Sequence, residues 1–243
     1  MPFLRVWEAT GRGIDSSPSP IAVIPIGSVE RHGDHLPLGT DTIVAAWVAE
    51  RVAEELGAHL YPPIWYGSSR GLSGFRGTID VDEQALGSYV EAVLREIARS
   101  GYRLCLVVNG HGGNTSVLRV VARRVAFTTG MAVAVVDWWR DVAQEVRKEL
   151  FQSPGHAGED ETSAVLCINE DLVEMDAASS HIARWIPRIA VYSPLIDSEI
   201  YPRALLGDAT RASKEKGCRW LEAIVSEIVE QVREIARRLD IEL

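Results

Sequence analysis

IAVIPIGSVERHGDHLPLGTDTIVAAWVAERVAEEL, Ile21 to Leu56, is the stretch whose reading decides the fold. Its first six residues, Ile21 to Ile26, are a short apolar run that reads as a strand inside a buried sheet. Ile43, Val44, Trp47, Val48 and Val52 then recur at helical spacing up to Gly57, with Thr40 and Asp41 offering capping side chains. The same alternation continues outward. A strand is expected around Leu60 to Trp65, a helix over Asp82 to Ser100, a strand over Leu104 to Val108, a helix over Thr115 to Thr129 and a strand over Ala132 to Asp137. Two helical stretches then flank SPGHAGEDETS, and a last helix runs from about Ala212 to Arg238. Strands interleaved with helices imply an α/β fold around a mostly parallel sheet. No repeat or linker divides the chain, so one domain over residues 1–243 is expected.

Composition narrows the function. Hydrophobic residues make up 47% and charged residues 24%, the balance of a chain that packs a core. A net charge of −9 repels phosphate backbones, so nucleic acid is not expected as a partner. No apolar run is long enough to span a membrane, and the start lacks the pattern of a signal peptide. Cys105, Cys167 and Cys218 are odd in number, far apart and without a C-x-x-C pair, which reads as free thiols in a reducing cytoplasm.

The loop between the first strand and helix, Gly27 to Asp41, carries Glu30, His32, Asp34, His35 and Asp41. It leaves the carboxyl end of a strand, the side of an open parallel sheet where ligands collect. Glu30 and His32 share a face in extended chain. Asp41 has two readings here, a ligand or a plain helix cap. NGHGGN, Asn109 to Asn114, follows the third long strand and brings His111 to the same edge; its glycines also suit a phosphate cradle, although neither nucleotide-binding spacing is matched. GHAGEDETS supplies His156 and Glu159, while Asp160 and Glu161 read as acidic first-turn residues. Four of the six histidines thus fall in three glycine- and acid-rich loops, leaving His59 and His181 to structural roles. Carboxylates and imidazoles without thiolates suit Zn, Mn or Fe, and a carboxylate bridging two ions sets them about 3.5–4 Å apart.

IPIGSVERHGDHLPLGTD, NGHGGN and HAGEDETS, in that order, resemble the creatininase (creatinine amidohydrolase) family, which includes formamidopyrimidine nucleotide deformylases and mycofactocin-precursor peptidases. The resemblance implies a three-layer sandwich, a parallel sheet between helices, assembled into homo-oligomers in which hexamers are common. It implies two divalent metal ions per chain: Glu30 and His111 on one, His32 on the other, and Asp41 bridging both. Creatinine-cleaving members resemble H-Y-E at the second motif, where this chain has Gly112 and Gly113 in place of the last two residues. Glu159 is expected to complete the second ion's shell instead. Gln152 stands where those members carry a substrate-facing Trp, and Phe75-Arg76-Gly77-Thr78 replaces their F-P-G-T, with Leu72 where a His is usual.

The expected reaction is hydrolysis of an amide or formamide C–N bond in a small molecule by metal-activated water, with His156 giving the leaving nitrogen its proton. His35 is expected to orient a ligand from behind. Trp138 and Trp139 are expected in the core or a subunit contact rather than the pocket, and Arg70 and Arg76, in the glycine-rich loop Gly67 to Thr78, either hold a substrate phosphate or are solvated. The rival classes are a non-catalytic metal-binding protein and a phosphate-binding α/β module.

Overall fold

Ile21–Ile26 forms the middle strand of a five-stranded sheet in the computed structural model, which describes residues 3–242. Met1, Pro2 and Leu243, the ends of the expected 1–243 unit, lie outside the described residues. The chain runs β1 (Leu4–Arg5), α1 (Gly11–Ser16), β2 (Ile21–Ile26), α2 (Thr40–Leu56), β3 (His59–Leu60), α3 (Glu83–Arg99), β4 (Leu104–Asn109), α4 (Thr115–Thr129) and β5 (Ala132–Asp137). It continues through α5 (Gln144–Leu150), α6 (Glu159–Ile168), β6 (Ser180–His181), α7 (Pro194–Ile200), β7 (Gly207–Asp208) and α8 (Lys214–Arg238). The sheet order is β1-β3-β2-β4-β5 with every pairing parallel, and β6 and β7 form a separate antiparallel pair.

All six residues of β2 are buried, because helices cover both faces of the sheet. Ile21 and Val23 pack with Val44, Val48, Ala164, Trp220 and Ile224 of α2, α6 and α8. Ala22, Ile24 and Ile26 pack on the other face with Leu86, Leu94, Leu118 and Val125 of α3 and α4. That is the three-layer sandwich. The register pairs Ile26 with Asn109 and Asn109 with Asp137, so β2, β4 and β5 end in line and their following loops leave from one edge. No helix among the described residues is long and apolar enough to cross a membrane.

The structure adds β1, α1, α7 and the β6–β7 pair, which the sequence reading does not include, and departs from expectation in three further places. The strand expected over Leu60 to Trp65 stops at Leu60, with a single further bridge from Ile64 to Ile26, because Pro62 and Pro63 have no N–H to donate. Helix α2 begins two residues early, and its cap position, Gly39, makes no side-chain hydrogen bond: Thr40 Oγ1 donates to the Pro37 carbonyl, and Asp41 is engaged elsewhere. The cysteines correct the free-thiol reading. Cys167 of α6 and Cys218 of α8 form a disulfide, their Cα atoms 5.1 Å apart where the two helices share a core, and Cys105 alone is a free, buried thiol. Sequence separation hid the pair because the helices meet only in the folded chain.

Candidate functional site

Three loops leaving the carboxyl edge of the sheet converge on a cavity of about 500 Å³. Its lining includes Glu30 from the β2–α2 connection, Asp41 from the first turn of α2, His111 after β4, and His156 and Glu161 at the entry to α6. A larger groove, about 960 Å³ between α2 and α8, holds none of these residues.

Asp41 is the centre of the cluster. Its Oδ2 lies 2.8 Å from His111 Nδ1 and its Oδ1 lies 3.1 Å from His32 Nε2, so one carboxylate faces two imidazoles through separate oxygens. Ser28 Oγ donates to Oδ2 at 2.7 Å and holds the carboxylate from behind. Glu30 Oε1 is 3.3 Å from His111 Nδ1 and 3.8 Å from His156 Nδ1. Each histidine is turned by a backbone carbonyl: His32 Nδ1–H donates to Glu30, His111 Nε2–H to Ser68 and His156 Nε2–H to Arg31. The second ring nitrogen of each therefore points at a carboxylate, as ligating histidines require.

Electrostatics follow from burial and crowding. Burial pushes the Glu30 carboxyl upward, with Asp41 adding to the effect, and burial likewise raises Glu161 to about 8. Burial resists charge on His32 and His111, yet Asp41 outweighs it at His32, and Glu30 with Asp41 outweighs it at His111, giving about 10 and about 9. Despite its own burial, Asp41 sits far below the usual carboxylate range because His32 and His111 flank it. His156 is lowered to about 3 and His35 to about 4 by burial and by the neighbouring His32. Three acidic groups in one low-dielectric pocket are costly unless cations accompany them. One ligand atom each from Glu30, Asp41 and His111, and likewise from Glu30, His32 and His156, lie within 4.8 Å of one another. Carboxylate and imidazole donors in two overlapping groups fit borderline divalent ions.

Of the expected residues, Glu30, His32, Asp41, His111 and His156 come together, and Glu159 does not. Its Oε2 accepts the backbone N–H groups of Gln152 and Ser153 at 2.8 and 2.9 Å, and its Oε1 accepts from Lys216 at 2.7 Å. Glu161 lines the cavity instead, its Oε2 accepting from Ala157 N at 2.7 Å and lying 3.7 Å from His32 Nε2. The two glutamates stand two residues apart on a helix, about 200° around it, so only one can face the cavity. The spacing signals that one of the two faces the cavity, and the packing of α6 decides which.

His35 touches no candidate ligand directly. Its Nε2 lies 2.9 Å from Thr162 Oγ1, beside Glu161 on α6. His59 is held between Tyr102 Oη and the Ser17 carbonyl, at 2.7 Å from each. The tryptophans divide: Trp138 packs with Trp220 in the core, whereas Trp139 lines the cavity, as does Tyr201 just after α7. Arg70 is paired with Asp80, and the arginines of the cavity are Arg140 and Arg147, paired with Asp137 and Asp160.

Comparison with known proteins agrees with this geometry. A family model described as Creatinine amidohydrolase matches residues 7–232. A creatinine amidohydrolase of Pseudomonas putida is 32% identical over 88% of this chain and 89% of its own length. A mycofactocin precursor peptide peptidase of Mycolicibacterium smegmatis is 33% identical over 88% of this chain and 85% of its own length. A solved structure described as creatininase with Mn superposes with a TM-score of 0.84 at 28% identity, covering 96% of this chain and 98% of that one.

Proposed function

The chain belongs to the creatininase family, a family of metal-dependent amidohydrolases, and from that premise we propose that it hydrolyses the C–N bond of a small amide or formamide other than creatinine. The observation that carries the reading is Asp41, whose two oxygens are divided between His111 Nδ1 and His32 Nε2. Glu30 and His111 would hold one divalent ion, His32 and Glu161 the other, with Asp41 bridging; Zn, Mn and Fe all suit these donors. When bound, such ions supply a nucleophile from water at neutral pH and polarise a carbonyl oxygen.

The chain's own residues do the rest. His156 is neutral at pH 7 because burial and His32 hold its pKa near 3, and the Arg31 carbonyl takes its Nε2–H. Nδ1 is then the open ring nitrogen, 3.8 Å from Glu30 Oε1, and would carry a proton only in passing, giving it to the departing nitrogen. Tyr201 packs edge-on against the His156 ring and Trp139 walls the cavity, fixing the imidazole and limiting solvent.

Creatinine is disfavoured by two positions. Gly113 carries no carboxylate, and Gln152 contacts Arg211 and is not part of the cavity lining. A phosphate-bearing formamide is the second reading: Arg140 and Arg147 line the cavity, each sharing its charge with an aspartate, whereas neither Arg70 nor Arg76 is in the lining. The expected homo-oligomer has a physical counterpart in the exposed apolar side chains of Trp185, Ile189, Tyr192 and Leu195, which a second copy would cover. The cytoplasmic placement no longer rests on the cysteines, since disulfides are rare there outside hyperthermophiles.

The test is metal analysis of the protein reconstituted at pH 7, followed by chelator-sensitive hydrolysis of creatinine, formamidopyrimidine nucleotides and short peptides. About two ions per chain and chelator-sensitive turnover of a non-creatinine substrate are expected. Persistent absence of transition metal, or creatinine turned over as well as the best alternative, overturns the reading.

A further inference from the structure

We propose that Asn114 is a positioning residue for His111, acting through the backbone carbonyl of Ser68. His111 Nε2–H donates to that carbonyl at 2.7 Å, and this bond leaves Nδ1 facing Asp41 and Glu30. A histidine ring can turn over about its Cβ–Cγ bond and exchange tautomers, so its working nitrogen is only as well placed as the acceptor behind it. The Ser68 carbonyl belongs to a loop and has no strand to hold it. Two side chains hold it, one on each side: Asp80 Oδ1 accepts the Ser69 N–H of the peptide that carries the carbonyl at 2.9 Å, and Asn114, wholly buried at the mouth of α4, accepts the N–H of Ser68 itself through Oδ1 at 3.0 Å. Asn114 Nδ2 donates to the Gly27 carbonyl at 2.9 Å, just beyond the end of β2. One amide thus ties the connection that carries Glu30 and leads into Asp41 to the loop that aims His111. Both halves of the amide are needed, one to accept and one to donate, which an aspartate or a leucine of the same shape cannot supply.

Two glycines make room for the clamp. A Cβ on Gly67 would lie 2.5 Å from Asn114 Oδ1 and 2.5 Å from the Gly27 carbonyl. A Cβ on Gly113 would overlap the Ser68 carbonyl oxygen and lie 2.6 Å from His111 Nε2. A side chain at position 113 and the carbonyl that orients His111 therefore exclude each other. The missing carboxylate of the second motif and the Ser68 contact are a single structural choice, and Glu161 supplies an acid from elsewhere.

The experiment follows the imidazole N–H resonances of ¹⁵N-histidine-labelled protein, metal-free and Zn-loaded, together with Zn affinity by competition. The unsubstituted protein is expected to show a slowly exchanging His111 Nε2–H in both forms. Asn114→Ala should lose that resonance to exchange and bind Zn about 10- to 100-fold more weakly. Gly113→Ala, which attacks the same contact from the other side, should do likewise while Asn114 is intact. The proposal is overturned if the unsubstituted protein lacks a protected His111 Nε2–H, a result that needs no variant to fold. It is also overturned if either folded variant keeps both the resonance and Zn affinity within twofold. The affinity arm rests on the metal-hydrolase reading, whereas the resonance does not: a protein that binds no metal fails that reading and still judges this one.

Discussion

At the scale of single residues, ligand and proton carrier separate experimentally. Asp41 faces both His32 and His111, so Asp41→Ala should remove a donor from both ions and lower metal content and activity together. His156→Ala should keep its metal and lose about 10²- to 10⁴-fold in kcat. Loss of metal from His156→Ala to the extent seen for Asp41→Ala would make His156 a ligand, as its place beside Glu30 and His32 permits. The glutamates of α6 give a matched pair. Glu161→Gln should weaken metal binding, whereas Glu159→Gln should leave metal content unchanged and cost about 1–3 kcal/mol of stability through its backbone and Lys216 contacts. Metal loss from Glu159→Gln with none from Glu161→Gln reverses that assignment. Five of the residues singled out in the sequence come together in the fold because alternation along extended chain and glycine turns at strand ends are local. The sixth, Glu159, does not join them because which face of α6 meets the cavity depends on α6 packing against α8.

At the scale of elements, the disulfide between α6 and α8 bears on the site because α6 carries Glu161 in its first turn and Cys167 next to its last residue. Closing a loop across 51 residues removes unfolded-state entropy worth about 4 kcal/mol. Cys218→Ser should therefore lower the melting temperature by roughly 8–16 °C, at about 2–4 °C per kcal/mol for a chain of this length. A calorimetric scan with and without reductant checks it; an unchanged midpoint in both the variant and the reduced protein would show that the bond is not formed in solution. The helices of ten or more residues and the long strands were legible to within about two residues, since hydrophobic period and capping side chains such as Asp82 and Ser213 act locally, whereas the short α1 and α7 were not. The prolines after Tyr61 also carried their message, but an apolar run outvoted them.

At the scale of the whole molecule, the cluster ties stability to pH and to metal. In the metal-free protein His111 and His32 hold protons up to about 9 and about 10, against about 6.5 when unfolded. Their pairing with Asp41 and Glu30 is thus fully stabilising below about 6.5 and is lost as pH rises through 9 to 10. His35 and His156 act in the opposite sense: with folded values near 4 and 3, their contribution is present above about 6.5 and is lost as pH falls through that lower range. Metal-free protein should accordingly melt highest near neutrality and fall off on both sides. Metal uptake must displace the protons on His32 and His111, so adding Zn at pH 7 should release acid, measurable on a pH-stat. A flat melting profile from pH 4 to 10 together with no proton release would remove the electrostatic account.

The sequence alone determined the winding of strands and helices, the edge at which the chemistry gathers and five of the residues there, because periodicity, chain reversal and the strand-to-loop exits are written in neighbouring residues. Tertiary structure decided what lies behind them: that Glu161 and not Glu159 faces the cavity, that Cys167 reaches Cys218, that Trp138 is core while Trp139 is wall, and that Asn114 and the Ser68 carbonyl stand behind His111. These pairs are 40 or more residues apart, or differ only in the face of one helix or turn, and nothing but the packing of layers against one another fixes which side chains meet.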